Sequence, residues 1–590
     1  MSDMVFKKVD YTLGNLVAYV EQGDIGLPEL QRPFVWPVVK VRDLFDSLYH
    51  GYPIGYFLFW ENGLQDHGHS IAQKQDKQSP KLLVVDGQQR ITSLYAVIKG
   101  QDVLDRHNEP MRIGIAFRPK DGKFEVTNAA IKRDPEWIPD ISLLWAKDNK
   151  RVVRDFFDRL IKEEELPEEE ENRLDAAIDR LKNLVYFPLV ALELSSSLDE
   201  ESVADIFVRI NSKGTPLNQA NFILTLMSVF WEDGRKALEN FCEQSRKVQP
   251  IGKPSPYNPL FQPIPDRLLR VGIGLGFRRA RLADAYAILR GRDLETREFS
   301  PQKREQNFRI LQQAQTFSLD LTNWHEFVKV VRQAGYRRKN LISSEYALLY
   351  TYTVFLIGKR DFQVPLRDLR NIIAQWFFMV SLTGRYTDSP ESRMEQDLAD
   401  FRGLSTAEEF ISLLQRKINN EFTPDFWNIS LPSNLATASR RNTAFLAYRA
   451  SLVLLDAKAF FSELKVSDLL DPSITPRKPA AELHHLFPKA YLAKLGIEDR
   501  RNVDQVANLA VADWVDNIEI GDRPPFEYMP NFITKIRKEN RSLDEIEQMC
   551  FWHGLPEGWE HMPYPDFLEE RRKKMAQIIK EGFGKIAGVS

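Results

Sequence analysis

Residues 82–95 read LLVVDGQQRITSLY. Leu82 to Val85 form an apolar run of strand length, Asp86-Gly87 is a turn pair, and an apolar period of helical spacing begins soon after. Strand, tight turn and helix in that order make an α/β element. Its junction carries an acid, two amides and an arginine. A helix N-terminus offers unpaired N–H groups and the positive end of a dipole, so it favours phosphate. Gly87 permits a close backbone approach, Arg90 suits a bidentate phosphate clamp, and Asp86 suits a metal or an oriented water. The structural alternative is a strand end in which Asp86 caps the helix and Arg90 bridges to a neighbour. No G-x-x-x-x-G-K-[ST] sequence occurs.

Working outward, 590 residues exceed one core, which points to two to four domains. Apolar content of 43% and charged content of 28% are those of a soluble globular chain. No apolar run is long enough to span a bilayer, and Met1 to Met4 do not open a signal peptide. Cys242 and Cys550 are the only cysteines, which argues against a disulfide framework or a Cys₄ zinc site and fits a reducing cytoplasm. With 80 Lys+Arg against 83 Asp+Glu, any polyanion site must come from local clustering. The pattern is α+β and multidomain, without a fixed repeat. Helix, turn and short strand alternate from Asp10 to about Lys99. Met111–Phe117 and Lys123–Val126 pair around Asp121-Gly122. The acidic run from Lys162 reads as a solvated surface segment. From Pro265 to Asp456 the pattern is almost wholly helical, with Trp and Phe stripes that read as core. The Pro-rich stretch from Asp471 reads as a lead-in to a last module.

Two further polar islands stand beside apolar elements. LPELQRPFVWP carries Gln31 and Arg32, and FVRINSKGTPLNQANF packs Arg209, Asn211, Lys213, Asn218 and Asn221 around a glycine turn. Three such clusters point to one anionic ligand. Together with GYPIGYFLFW and TGRYTDSPESRMEQDL (Thr383 to Leu398), these motifs resemble the GmrSD-type restriction family, whose N-terminal domain is related to the ParB/sulfiredoxin nucleotide-binding fold. The resemblance implies nucleoside triphosphate (GTP, ATP, UTP or CTP) binding and hydrolysis at Asp86, Gly87, Gln88, Gln89 and Arg90. Gln31 and Arg32 match the family's Q-R pair. Arg209, Asn211 and Lys213 join the nucleotide-binding set.

Histidines are scarce, nine in the whole chain, yet His484 and His485 are adjacent in AELHHLFPKAYL. Neighbours on a strand face opposite sides, so the pair does not belong to one core face. Asn508 and Asn517 follow downstream. Phosphodiester hydrolysis needs a base for water, a cation at the leaving oxygen and an amide that orients the base. An imidazole titrating near neutrality suits the base role. His485-Leu486-Phe487-Pro488 resembles the opening of the HNH, or His-Me finger, nucleases that close GmrSD-type proteins. By that resemblance His485 is the general base, Asn508 its orienting amide, and His484 and Asn517 lie at metal positions for Mg²⁺ or Mn²⁺. This chain departs from the pattern in having His484 before the base and Ala507 before the middle asparagine. Lys489, Arg500, Arg501 and Arg523 flank the module and suit a phosphate backbone. The RRKK run at 571–574, Arg440-Arg441 and Arg337-Arg338-Lys339 read equally as DNA contacts or solvated faces.

The expected organisation is an N-terminal ParB/sulfiredoxin-like α/β domain over 1–235, a helical region over 236–405, and a His-Me finger nuclease embedded in helices over 406–590. The expected function is an NTP- and metal-dependent endonuclease that cuts modified double-stranded phage DNA in prokaryotic defence. A homodimer is compatible with the sequence, and no membrane partner is expected. The rivals are a sensor of phosphorothioate DNA that nicks foreign DNA, and a nucleotide-gated DNA-binding or toxin-like switch with a weak or inactive nuclease.

Overall fold

The computed structural model describes residues 4–26, 34, 36–61, 80–104, 110–161, 166–198, 202–203, 206, 219–248, 250, 252–292, 300–471, 481–513, 521–538 and 543–588. Two compact units result, Met1–Asn218 and Gln219–Ser590. The division falls at Asn218/Gln219, and the second unit contains both the helical region and the histidine module, whose buried residues form one continuous core.

The first unit is built on a mixed five-stranded sheet in the order β1-β9-β3-β4-β2. Its strands are β1 (Phe6–Thr12), β2 (Ile25–Gly26), β3 (Phe57–Glu61), β4 (Leu82–Asp86) and β9 (Pro188–Leu194). β4 runs antiparallel to β3 and parallel to β2, and β3 runs parallel to β9. Helices α1 (Leu13–Gln22), α2 (Val38–Tyr49) and α3 (Gln88–Lys99) turn Leu16, Phe45 and Leu94 into a core that also buries Phe57 and Phe59. β5 (Val103–Leu104) and β6 (Pro110–Met111) form a short ladder, and β7 (Ile115–Arg118) pairs with β8 (Lys123–Val126) around Gly122, as the sequence indicates. The acidic run is more than a solvated segment, because Glu168–Lys182 is a helix. Its four leading glutamates occupy the first turn, where the helix dipole favours them, and Leu174, Ile178 and Leu181 are buried.

The second unit is mostly helical. Glu345–Arg360 and Leu366–Thr383 are its most buried long helices, and Trp324, Trp376, Phe377 and Phe378 pack inside, consistent with the core reading of the aromatic stripes. The family-like stretch at Thr383–Leu398 proves to be a buried ionic joint. Arg385 grips Asp397 through Nε (2.9 Å) and Nη2 (2.7 Å), and its Nη1 reaches Glu421 at 2.8 Å. Tyr386 and Lys417 donate to the same carboxylate at 2.7 and 2.9 Å. Asp397 is wholly buried; burial pushes its carboxyl up, but Arg385 and Lys417 hold it below the ordinary range. Cys242 and Cys550 are both free thiols. Among the described residues no helix is long and apolar enough to cross a membrane.

Candidate functional site

In the first unit β4 delivers Asp86, paired opposite Leu58, and Gly87 turns the chain at φ 92° into α3. A Cβ at Gly87 would lie 2.5 Å from the Phe57 ring, so only glycine fits the turn. Gly87, at the N-cap of α3, has no side chain with which to cap the helix. Gln88 and Gln89 occupy the first helical positions and are half-buried. Arg90 behaves as the structural alternative foresaw. Its Nη1 donates to the Ile54 carbonyl (2.7 Å), its Nη2 to the Tyr56 carbonyl (2.9 Å) and to Asp86 (3.1 Å). The guanidinium also lies 4.8 Å from the Phe57 ring centroid, and burial lowers its proton affinity. Arg90 therefore braces the Gly51–Tyr56 turn against the helix start. Gln31, Arg32, Arg209, Asn211 and Lys213 lie outside the described residues.

In the second unit β10 (Ala481–His485) and β11 (Leu509–Asp513) form an antiparallel pair with His485 opposite Leu509. The connection carries the short helices Lys489–Lys494 and Arg500–Val503, and the helix Pro525–Lys538 follows β11. His485, at 15% side-chain exposure, places Nε2 2.9 Å from Asp504 Oδ1. A carboxylate only accepts, so the neutral ring carries its hydrogen on Nε2 and keeps the lone pair on Nδ1. Lys489 Nζ reaches the same oxygen at 2.7 Å, and Arg500 Nε reaches Oδ2 at 3.2 Å. Burial lowers the His485 pKa below its ordinary 6.5; Asp504 opposes this, while Lys489 and Arg440 reinforce it. Burial works to raise Asp504, but hydrogen bonds from Lys489 and His485 hold it far below the carboxylate range.

The side-chain hydrogen bonds of Asn508 among the described residues go to the backbone around the base rather than to the imidazole. Asn508 is fully buried; its Oδ1 accepts from the Phe487 N–H at 2.8 Å, and its Nδ2 donates to the carbonyls of Phe487 (3.0 Å) and Val503 (3.1 Å). The asparagine ties the chain after the base to the chain before itself, and Asp504 orients the ring. Sequence reasoning missed Asp504 because an acid preceding a middle asparagine carries no periodic signal. It also missed Tyr528, whose hydroxyl donates to the Leu486 carbonyl at 2.7 Å. His484 is buried with its ring edge-on to Tyr528, and Asn517 lies outside the described residues. Among the described residues no three His, Cys, Asp or Glu side chains gather as a metal cage.

Of the basic candidates, Lys489 and Arg500 converge at Asp504, while Arg501 and Arg523 are exposed. The RRKK run is neither a DNA contact nor a solvated face as a whole. Arg571 is wholly buried and donates to the carbonyls of His553 (3.0 Å), Ala507 (2.6 Å) and Leu509 (2.8 Å), bracing the turn that holds Asn508. Arg572 binds Gln505 at 3.0 Å, and Lys573 is an exposed partner of Glu569 and Glu570.

The first unit thus holds a strand–glycine turn–helix junction, and the second a histidine bound to a carboxylate. Residues 13–228, which lie mostly in the first unit, are similar to the GmrSD restriction endonuclease, N-terminal domain. The chain is also 22% identical to the uncharacterized protein MJ0686 of Methanocaldococcus jannaschii, over 92% of this chain and 91% of that protein.

Proposed function

We propose that the protein is an NTP- and metal-dependent endonuclease of prokaryotic defence that cuts modified double-stranded DNA, with His485 as the general base. The observation that carries the reading is the His485–Asp504 contact at 2.9 Å, with Lys489 and Arg500 on the same carboxylate. A general base must be neutral when water arrives, and a lowered pKa with a fixed tautomer meets that need. Nδ1 takes a proton from water, the water oxygen bonds to phosphorus, and the bond to the 3′ oxygen breaks; solvent protonates the leaving oxygen. Lys489 and Arg500 attract the phosphate, and Arg501 and Arg523 extend that attraction along the backbone. A divalent ion at His484 and Asn517 would supply charge stabilisation at the leaving oxygen. In the first unit the glycine turn and the positive dipole end of α3 are the candidate seat for nucleotide phosphates, with Asp86 beside it as the candidate for orienting water and Arg90 holding the seat's shape.

The test is nicking of modified and plain plasmid by wild type and His485→Ala, with phosphate release from each NTP followed on the same samples. His485→Ala should lose cleavage by about 10² to 10⁴ and keep NTP hydrolysis. A folded His485→Ala that cuts at the wild-type rate sinks the assignment. Asp86→Ala should lose phosphate release while retaining its melting temperature; unchanged hydrolysis would remove the nucleotide seat from this junction.

A further inference from the structure

The loop that leads into the helix Thr443–Leu454 carries Arg440 and Arg441, a pair that the sequence leaves open between a DNA contact and a solvated face. The loop is held in place. Leu435 is fully buried at its start, and the Ser439 N–H donates to the Thr437 hydroxyl at 3.1 Å. Asn442 caps the following helix, and its Nδ2 donates to the Asn434 carbonyl at 3.2 Å. The loop is also fastened to the histidine module, because the Thr437 carbonyl accepts the Val506 N–H at 2.8 Å. Val506 lies two residues before Asn508, whose carbonyl accepts the N–H of Leu486, the neighbour of His485, at 2.9 Å. Three residues of chain reach at most about 11 Å, so the Arg440 backbone stands within that distance of Thr437.

Charge along this turn is unevenly balanced. The Asp504 carboxylate is shared by His485, Lys489 and Arg500. At the next two residues the cations have no such partner. Arg572, on the helix Tyr564–Ala587, donates to the Gln505 amide oxygen at 3.0 Å, a neutral group. The acids one turn before it, Glu569 and Glu570, are taken by Lys573 at 3.0 and 2.9 Å. Arg440 and Arg441 are exposed, and among the described residues neither makes an ion pair or a side-chain hydrogen bond. Three guanidiniums without a carboxylate are thus carried by elements bonded to Gln505 and Val506. Burial chiefly lowers the His485 proton affinity, and the Arg440 charge adds to the effect, which agrees with this placement.

We propose that Arg440, Arg441 and Arg572 form a second contact for the phosphate backbone of duplex DNA, beside the one at Lys489 and Arg500. A guanidinium fork matches phosphate oxygens, and a cation that no carboxylate occupies binds them without first losing a partner. Duplex DNA carries a charge about every 1.7 Å of its axis, so a strand seated at Lys489 and Arg500 brings further phosphates to the neighbouring cations. A single free anion would use one fork and leave the others empty. The proposal rests on the DNA-cutting reading of His485 for the identity of the partner. The surface itself is defined by three arginines that take no part in the proton transfer.

The experiment uses the full chain without added divalent metal, so that binding is read apart from cutting. Wild type is compared with the double variant Arg440→Gln/Arg441→Gln, with Arg572→Gln and with Lys573→Gln. Affinity for a fluorescent plain duplex is followed by anisotropy over a salt series that begins at low salt, with a thermal melt on each sample. The log-affinity against log-salt slope should shrink by about 1.8 in the double variant and by about 0.9 in Arg572→Gln, one phosphate contact for each arginine. Lys573→Gln should keep the wild-type slope, because that lysine is already paired with Glu569 and Glu570. The double variant should melt as wild type does, since its two side chains are exposed and hold no partner among the described residues. Wild-type slopes in the double variant and in Arg572→Gln overturn the proposal and leave the nuclease reading standing. A loss in Lys573→Gln equal to that in Arg572→Gln also overturns it, because net charge alone would then explain the effect. A wild-type chain that does not bind the duplex at low salt overturns both this proposal and the DNA reading on which it rests.

Discussion

Asp504→Asn is the substitution that separates orientation from folding. In wild type the carboxylate can only accept, so it fixes the hydrogen on His485 Nε2 and leaves Nδ1 free to receive a proton. An amide of the same shape can instead donate to Nε2, which puts the hydrogen on Nδ1 and removes the base. The loss should fall within the whole contribution of a general base, about 10² to 10⁴ in rate, or roughly 3 to 5 kcal/mol of barrier. The stability cost should be small. Lys489 and Arg500 keep 57% and 92% of their side-chain surface in water, so both stay hydrated when the buried carboxylate they meet becomes an amide. The pH profile gives a second readout. Wild-type cleavage should rise with pH through the His485 pKa, which lies below its ordinary 6.5. Asp504 is the group that holds this pKa up against burial and Lys489, so its neutralisation should move the acid limb to lower pH while lowering the plateau. Supercoiled-plasmid nicking across pH, with a melt on each sample, measures both. Cleavage within about twofold of wild type and an unmoved limb would refute the positioning role, since the expected loss begins at about a hundredfold.

Asn508→Ala should lower the urea-unfolding free energy by about 3 kcal/mol or more, because a buried N–H and two carbonyls lose their partners. Asp397→Ala should lower it by about 3 to 5 kcal/mol, since Arg385 would stay buried without its main partner. The folded Asp397 pKa is depressed, so its stabilisation is present above the unfolded value of about 3.9 and fades as pH falls through the folded value. His553 is wholly buried and its pKa is pushed down to about 3, so the unfolded chain takes up the proton first. The melting midpoint should therefore fall as pH drops below about 6.5, and His553→Gln should flatten that slope.

The strand–turn–helix at 82–95 was legible because a short apolar run gives way to a helical period across Gly87, and the structure places both elements there. The turn at Gly122 and the helical stretch after Pro265 were legible for the same reason. Side-chain roles were less so. Arg90 and Arg571 stand out in sequence because charge is conspicuous, but most of their partners are backbone carbonyls that spacing cannot reveal. Arg571 meets Ala507 and Leu509 across more than sixty positions, and a basic run gives no hint that one of its members points inward. The converse holds for Asp504, an ordinary-looking acid that acquires its meaning from the fold of the β10–β11 connection.

The placing of charge around His485 resolves a conflict between two requirements. Cations that attract phosphate also repel a proton from the imidazole, which keeps the base neutral. A carboxylate that fixes the tautomer has the opposite effect, because its negative charge favours the imidazolium. Left alone, Asp504 would orient the ring and raise its pKa at the same time. In the structure the same carboxylate also meets Lys489 and Arg500, so much of its charge is balanced before His485 experiences it. Burial first, and Lys489 and Arg440 after it, outweigh the pull of the carboxylate, and the net effect is a lowered His485 pKa with an orienting contact of 2.9 Å. The same reasoning explains why Lys489 and Arg500 need not be free to serve a phosphate. Both remain more than half exposed, so an arriving anion can share them with Asp504 without displacing it.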